Sequence, residues 1–112
     1  MINRNIKSNH IQIENLYKSI FTDIELTSIT LEDTSVIIKY NDPTNADAAS
    51  LEVVEKEEGY KVSYWDGYSL AEIVEDKDLK KSLKAFKRLA KKLAKNLRRF
   101  SPLSYTHLTL PT

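Results

Sequence analysis

The stretch Leu79–Phe100, LKKSLKAFKRLAKKLAKNLRRF, decides how the chain is read. Leu79, Leu83, Phe86, Ala90, Leu93, Leu97 and Phe100 recur at alternating steps of four and three, and Leu89 widens the stripe. That period puts one apolar seam along one side of an α-helix. The remaining faces carry Lys80, Lys81, Lys84, Lys87, Arg88, Lys91, Lys92, Lys95, Arg98 and Arg99, with no acidic residue among them. A helix of this kind needs an apolar layer to lie on, so the rest of the chain is read for that layer.

Just upstream, Ser69-Leu-Ala-Glu72 has the spacing of a capping box and predicts a helix start. Asp76 or Asp78 would restart or cap a longer helix, giving one long helix or two joined ones that end near Phe100, ahead of Pro102. Further back, SLEVVEKEEGYKVSYW (50–65) alternates with period two and breaks at Glu57-Glu58-Gly59, the pattern of a β-hairpin. Tyr60, Val62 and Tyr64 fall on one face and Trp65 on the other, and Asp66-Gly67 ends the strand. Residues 41–48, NDPTNADA, are turn formers throughout. A first hairpin is expected around a turn at Asp33-Thr34, with Ile29 and Leu31 on one strand facing as Val36, Ile38 and Tyr40 do on the other. Residues 10–22 place Ile13, Leu16, Tyr17, Ile20 and Phe21 at helical spacing, with Asn9 and Gln12 positioned to cap. The expected architecture is a two-layer α+β domain over residues 1–103: an N-terminal helix, a four-stranded antiparallel sheet and a long basic amphipathic C-terminal helix.

With 41% hydrophobic and 29% charged residues, the composition is that of a folded globular domain. There is no cysteine, which removes disulfides, thiolate metal sites and a cysteine nucleophile. The opening MINRNIKSNH lacks the apolar run of a signal peptide, and no stretch approaches the ~18 apolar residues of a membrane span. A cytoplasmic location is expected. Frequent Ile and Asn are residues of AT-rich codons and point to an AT-rich bacterium or a phage as the source.

The net charge of +1 conceals a division. All 16 acidic residues lie at or before Asp78, against seven basic ones, so residues 1–78 carry −9, whereas Lys80–Arg99 carries +10. The basic face has four readings: a solvated outer surface, a nucleic-acid interface, a membrane-surface helix, or a dock for an acidic partner. Self-pairing is disfavoured, because the helix has no acid to meet its own lysines. As a nucleic-acid surface it would work through Lys80, Lys84, Lys87, Arg88, Lys91, Lys95 and Arg98.

The acidic residues crowd the second hairpin and the segment after it. Glu52, Glu55, Glu57, Glu58, Asp66, Glu72 and Glu75 form either a solvated sheet edge or a surface that mimics nucleic-acid phosphates and blocks a basic protein. By analogy with small phage inhibitors of defence nucleases, the leading expectation is a non-enzymatic protein-binding module from a phage or mobile element. A nucleic-acid-binding accessory protein or regulator using the basic helix is the alternative. Tyr60, Tyr64, Trp65 and Tyr68 would stack bases or, more simply, pack across strands.

Catalytic signatures are missing. Gly59 and Gly67 stand alone, so there is no phosphate-binding loop, and no carboxylate pair has a distinguishing spacing. His10 is the one histidine before residue 104. No catalytic, metal or cofactor residue is assigned, and no enzyme activity is expected.

The last nine residues, SYTHLTLPT (Ser104–Thr112), resemble the translation of an adapter used in transposase-based sequencing libraries. All nine match, while Leu103 departs from the valine that the adapter frame would supply. The resemblance implies a non-native tail, which takes Tyr105, His107 and Pro111 out of the functional argument and leaves the natural C-terminus open beyond Leu103.

Overall fold

The computed structural model describes residues 5–44 and 48–100, less the side chains of 99 and 100. The adapter-like segment 104–112 and the boundary at Leu103 lie outside the described residues, as do 45–47 of the expected loop and the side chain of the last seam residue, Phe100. A 3-10 turn, Lys7–Asn9, leads into α1, His10–Ile20. Five strands come next: β1, Thr27–Glu32; β2, Ser35–Tyr40; β3, Ser50–Lys56; β4, Gly59–Trp65; and β5, Leu70–Asp76. The chain then runs into α2, Leu79–Phe100.

The strands form one antiparallel meander in the order β1-β2-β3-β4-β5. The side-chain alternation holds. Val36 and Ile38 of β2, Leu51 and Val53 of β3, and Val62 and Tyr64 of β4 share the buried face. Phe86, Leu89, Ala90, Leu93 and Ala94 of α2 close over them, and Ile13 and Phe21 complete the core from the α1 side. Each large apolar side chain so buried contributes about 1.5–3 kcal/mol. Both helices lie against one face of the sheet; the other face carries Ile37, Val54, Ser63 and Trp65, all half-buried. The architecture is therefore α+β, with a helix at each end of an antiparallel sheet.

The sheet has five strands, not four. Residues 70–76 form β5 against β4, with Val62 opposite Val74 and Ser63 opposite Ile73, where the capping box predicted a helix. Three local facts explain the difference. The Asp66 carboxylate accepts the backbone N–H groups of Tyr68 and Ser69, each at 2.9 Å, so Ser69 is consumed in a turn. Gly67 supplies the positive φ, +102°, that this turn requires. Ile73 and Val74 are β-branched and gain cross-strand partners as a strand that a short helix would not offer.

Asn9 does not cap α1 either. Its Nδ2 donates to the Asn5 carbonyl at 2.9 Å, and the Asn5 side chain accepts the Ser8 N–H at 2.8 Å. The capping function has moved four residues upstream, to the 3-10 turn that precedes the helix.

Candidate functional site

α2 is fixed first at its N-terminus. The Asp78 carboxylate accepts the Lys80 N–H at 3.1 Å, and the Asp78 carbonyl accepts both the N–H and the hydroxyl of buried Ser82, each at 3.0 Å. Asp76 holds the Asp78 N–H at 2.8 Å. Two carboxylates thus sit where the helix exposes unpaired donors and the positive end of its dipole. The seam is buried much as the spacing predicts, except that Leu83 is half-buried at the rim facing α1 while Ser82, Leu89 and Ala94 go fully inside.

Three of the basic residues are bound by the fold itself. Arg98 reaches the end of α1, donating to the Asp23 carboxylate at 2.9 and 2.8 Å and to the Ile20 carbonyl at 2.7 Å. This hydrogen bond from Arg98 holds the Asp23 carboxyl below its usual range and raises the guanidinium in turn. Arg88 pairs with Glu72 of β5, and that hydrogen bond likewise lowers the Glu72 carboxyl. Lys92 lies 3.9 Å from the same carboxylate and 5.8 Å from the centre of the Tyr64 ring. The Tyr64 hydroxyl accepts from Asn96 at 2.8 Å; burial pushes this phenol up despite that bond.

The other described lysines of α2 behave differently. Among the described residues, Lys80, Lys81, Lys84, Lys87, Lys91 and Lys95 are exposed and enter no ion pair. Lys84, Lys87, Arg88, Lys91, Lys92 and Lys95 line one shallow groove along the outside of the helix. These positions are three or four apart, so neighbours repel by about 0.2–0.5 kcal/mol per pair in the absence of a bound anion. Glu72 compensates Arg88 and Lys92 on one side of this surface, whereas Lys84, Lys87, Lys91 and Lys95 have no acidic partner among the described residues and would gain from a polyanion.

Four of the seven acidic candidates meet at the β3–β4 turn, where Glu57, Glu58 and Glu75 line one shallow pocket and Glu55, Glu57 and Glu58 an adjoining one, both shared with Lys56 and Lys77; Glu52, Asp66 and Glu72 lie apart from them. Glu52 and Glu75 project from the open sheet face, where Glu75 stands opposite Lys61. Glu55 is on the helix side, accepting the Ile6 N–H at 3.0 Å, and Glu72 is held by Arg88 and Lys92. Glu57 and Glu58 occupy the β3–β4 turn. Asp66 is folded onto its own loop, where the N–H groups of Ser69 and Tyr68 keep its carboxyl low. The aromatic cluster is also divided. Tyr60 and Tyr64 face the helices, Trp65 the open side, and Tyr68 stands 90% exposed in a loop.

A second feature, invisible from the basic helix alone, is a groove between α1 and α2. The available signal was the polar spacing Asn9, Gln12, Asn15 and Ser19, one edge of α1 that the apolar pattern leaves aside. Among the described residues, no three His, Cys, Asp or Glu side chains converge as a metal site would require, and no helix is long and apolar enough to cross a membrane. Comparison with protein-family models, with curated proteins and with solved structures finds no match to the chain.

Proposed function

We propose that the protein is a non-enzymatic binding protein that holds the phosphate backbone of a nucleic acid along the lysine face of α2. The observation that carries this reading is the continuity of the face. Lys84, Lys87, Lys91 and Lys95 share one groove, and the fold supplies them no counter-charge among the described residues. Eleven residues of helix span about 16 Å, and a strand of B-DNA offers a phosphate about every 3.4 Å, so four lysines match roughly four or five phosphates. The groove is lined by Lys and Arg alone, which favours backbone contact without base readout.

Inhibition of a protein through the acidic residues is the weaker reading. Glu55, Glu57, Glu58 and Glu75 do meet at the β3–β4 turn, but Lys56 and Lys77 stand among them, Glu72 is held by Arg88 and Lys92, and Asp66 is bound into its own turn.

The test is reversal of four charges, Lys84→Glu, Lys87→Glu, Lys91→Glu and Lys95→Glu, in the full chain. With circular dichroism unchanged, affinity for labelled DNA and RNA at about 50 mM salt should fall at least about 100-fold. Unchanged affinity overturns the proposal.

A further inference from the structure

We infer that the groove between α1 and α2 takes a single strand of nucleic acid, with phosphates along its lysine wall and bases against its amide wall; this rests on the backbone-binding reading above. The groove is open to solvent and offers about 930 Å³, at the upper end of the ~300–1,000 Å³ usual for ligand sites. Its two walls differ in chemistry. The α2 side presents Lys80, Lys84 and Lys87, exposed and outside every ion pair among the described residues, with Asp78 at its head, where that carboxylate accepts the Lys80 N–H. The α1 side presents neutral polar groups and no charge. Between them, half-buried Leu16 and Leu83 form an apolar floor.

The amides decide the orientation. On the α1 wall, Asn9 and Ser19 are committed to the carbonyls of Asn5 and Leu16. Gln12 and Asn15 are exposed and make no side-chain hydrogen bond among the described residues. Each offers a donor and an acceptor, the pairing that reads a base edge. Lysines opposite give the phosphate side, and the leucines between them offer apolar contact to base faces.

Base exposure selects the single strand. In a duplex the base edges lie inside the grooves, behind two rows of phosphate, so two short amides beside a row of lysines meet backbone first. Unpaired bases, by contrast, expose the edges that amides bind. An acidic helix from a protein partner fits less well, because such docking needs deep apolar anchor pockets, and of the apolar lining Ile13 and Leu79 are buried in the core, leaving only half-buried Leu16 and Leu83 to meet a partner.

The experiment compares two double variants of the full chain. Gln12→Ala with Asn15→Ala removes the amides of the exposed α1 wall without changing charge. Lys91→Glu with Lys95→Glu alters the face beyond the groove. Labelled single strands and the matching duplex, as DNA and as RNA, are titrated at low salt. The wild-type chain should bind single strands at least about tenfold tighter than duplex. The α1-wall pair should lose at least about tenfold on single strands and less than about twofold on duplex, since the substitution removes base contacts and changes no charge. The outer pair should weaken both. Equal affinity for both forms, with the α1-wall pair indifferent, overturns this inference and leaves backbone binding intact. Binding of neither form overturns both readings. Displacement of the labelled single strand by an oligoglutamate peptide at lower concentrations than the unlabelled strand requires would assign the groove to an acidic protein and overturn the inference as well.

Discussion

Substituting alanine at the two glycines, one at a time, tests the strand that the capping box concealed. Gly59 opens β4 with φ +146°, and a Cβ there would lie 2.7 Å from the Asp76 carbonyl oxygen and 3.1 Å from the Lys77 Cα. Those atoms are backbone at the end of β5, so Gly59→Ala must displace the strand as well as adopt an unfavourable φ. Gly67, in the next turn, has φ +102°, but its added Cβ meets nothing closer than the Ala49 nitrogen at 3.6 Å, an ordinary contact. Gly67→Ala therefore bears only the backbone cost, about 1–3 kcal/mol. Gly59→Ala bears a similar cost and, in addition, about 1–3 kcal/mol for forcing atoms into occupied space. The difference, roughly 2 kcal/mol, should appear as a gap of about 1 M between urea midpoints. Trp65, the single tryptophan, reports unfolding. If the two variants unfold within about 0.5 kcal/mol of each other, residues 70–76 do not pair with β4 as described, and the five-stranded sheet is wrong.

Three further outcomes are expected. Phe86→Ala removes a fully buried ring from the helix–sheet interface and should cost about 3–5 kcal/mol, read by urea denaturation; a loss under about 1 kcal/mol would mean α2 is not docked. Glu72 and Asp23 titrate below their ordinary values of 4.5 and 3.8 because Arg88 and Arg98 bind their ionised forms. Their contributions are present above those values and are lost as pH falls through the lowered ones. Glu72→Gln and Asp23→Asn should thus flatten the decline of Tm below about pH 4.5, and an unaltered slope in both contradicts the pairing. Truncation after Leu103 should leave Tm and nucleic-acid affinity unchanged if 104–112 is adapter-derived; a drop in either assigns the tail a role.

The parts of the fold legible in the sequence were those governed by a repeating period. Alternation at Val36, Ile38, Leu51, Val53, Val62 and Tyr64 located three strands and their buried face, and the three-and-four spacing located α2. β5 was illegible because its evidence is tertiary: Ser69 and Glu72 carry a helix-start signal, and only the Asp66 turn and the register against β4 turn the segment into a strand. Where each acidic candidate points was illegible for a related reason. Adjacency in sequence places Glu52, Glu55 and Glu72 together, yet pleating sends Glu52 to the open face and Glu55 and Glu72 to the helix side. Nor could local pattern foresee that Arg98 would close on Asp23, 75 residues away. Once these pairs have formed, the lysines that no acid reaches define the candidate surface.

Salt dependence of binding counts the lysine–phosphate contacts of α2. If Lys84, Lys87, Lys91 and Lys95 each neutralise one phosphate, log K should fall against log salt with a slope near −3.6 for duplex DNA, or roughly 150-fold between about 50 and 200 mM. Replacing one of the four by alanine should reduce that slope by about one. A slope near zero, or no binding at the lowest salt, would contradict the claim that this face exists to hold a nucleic-acid backbone.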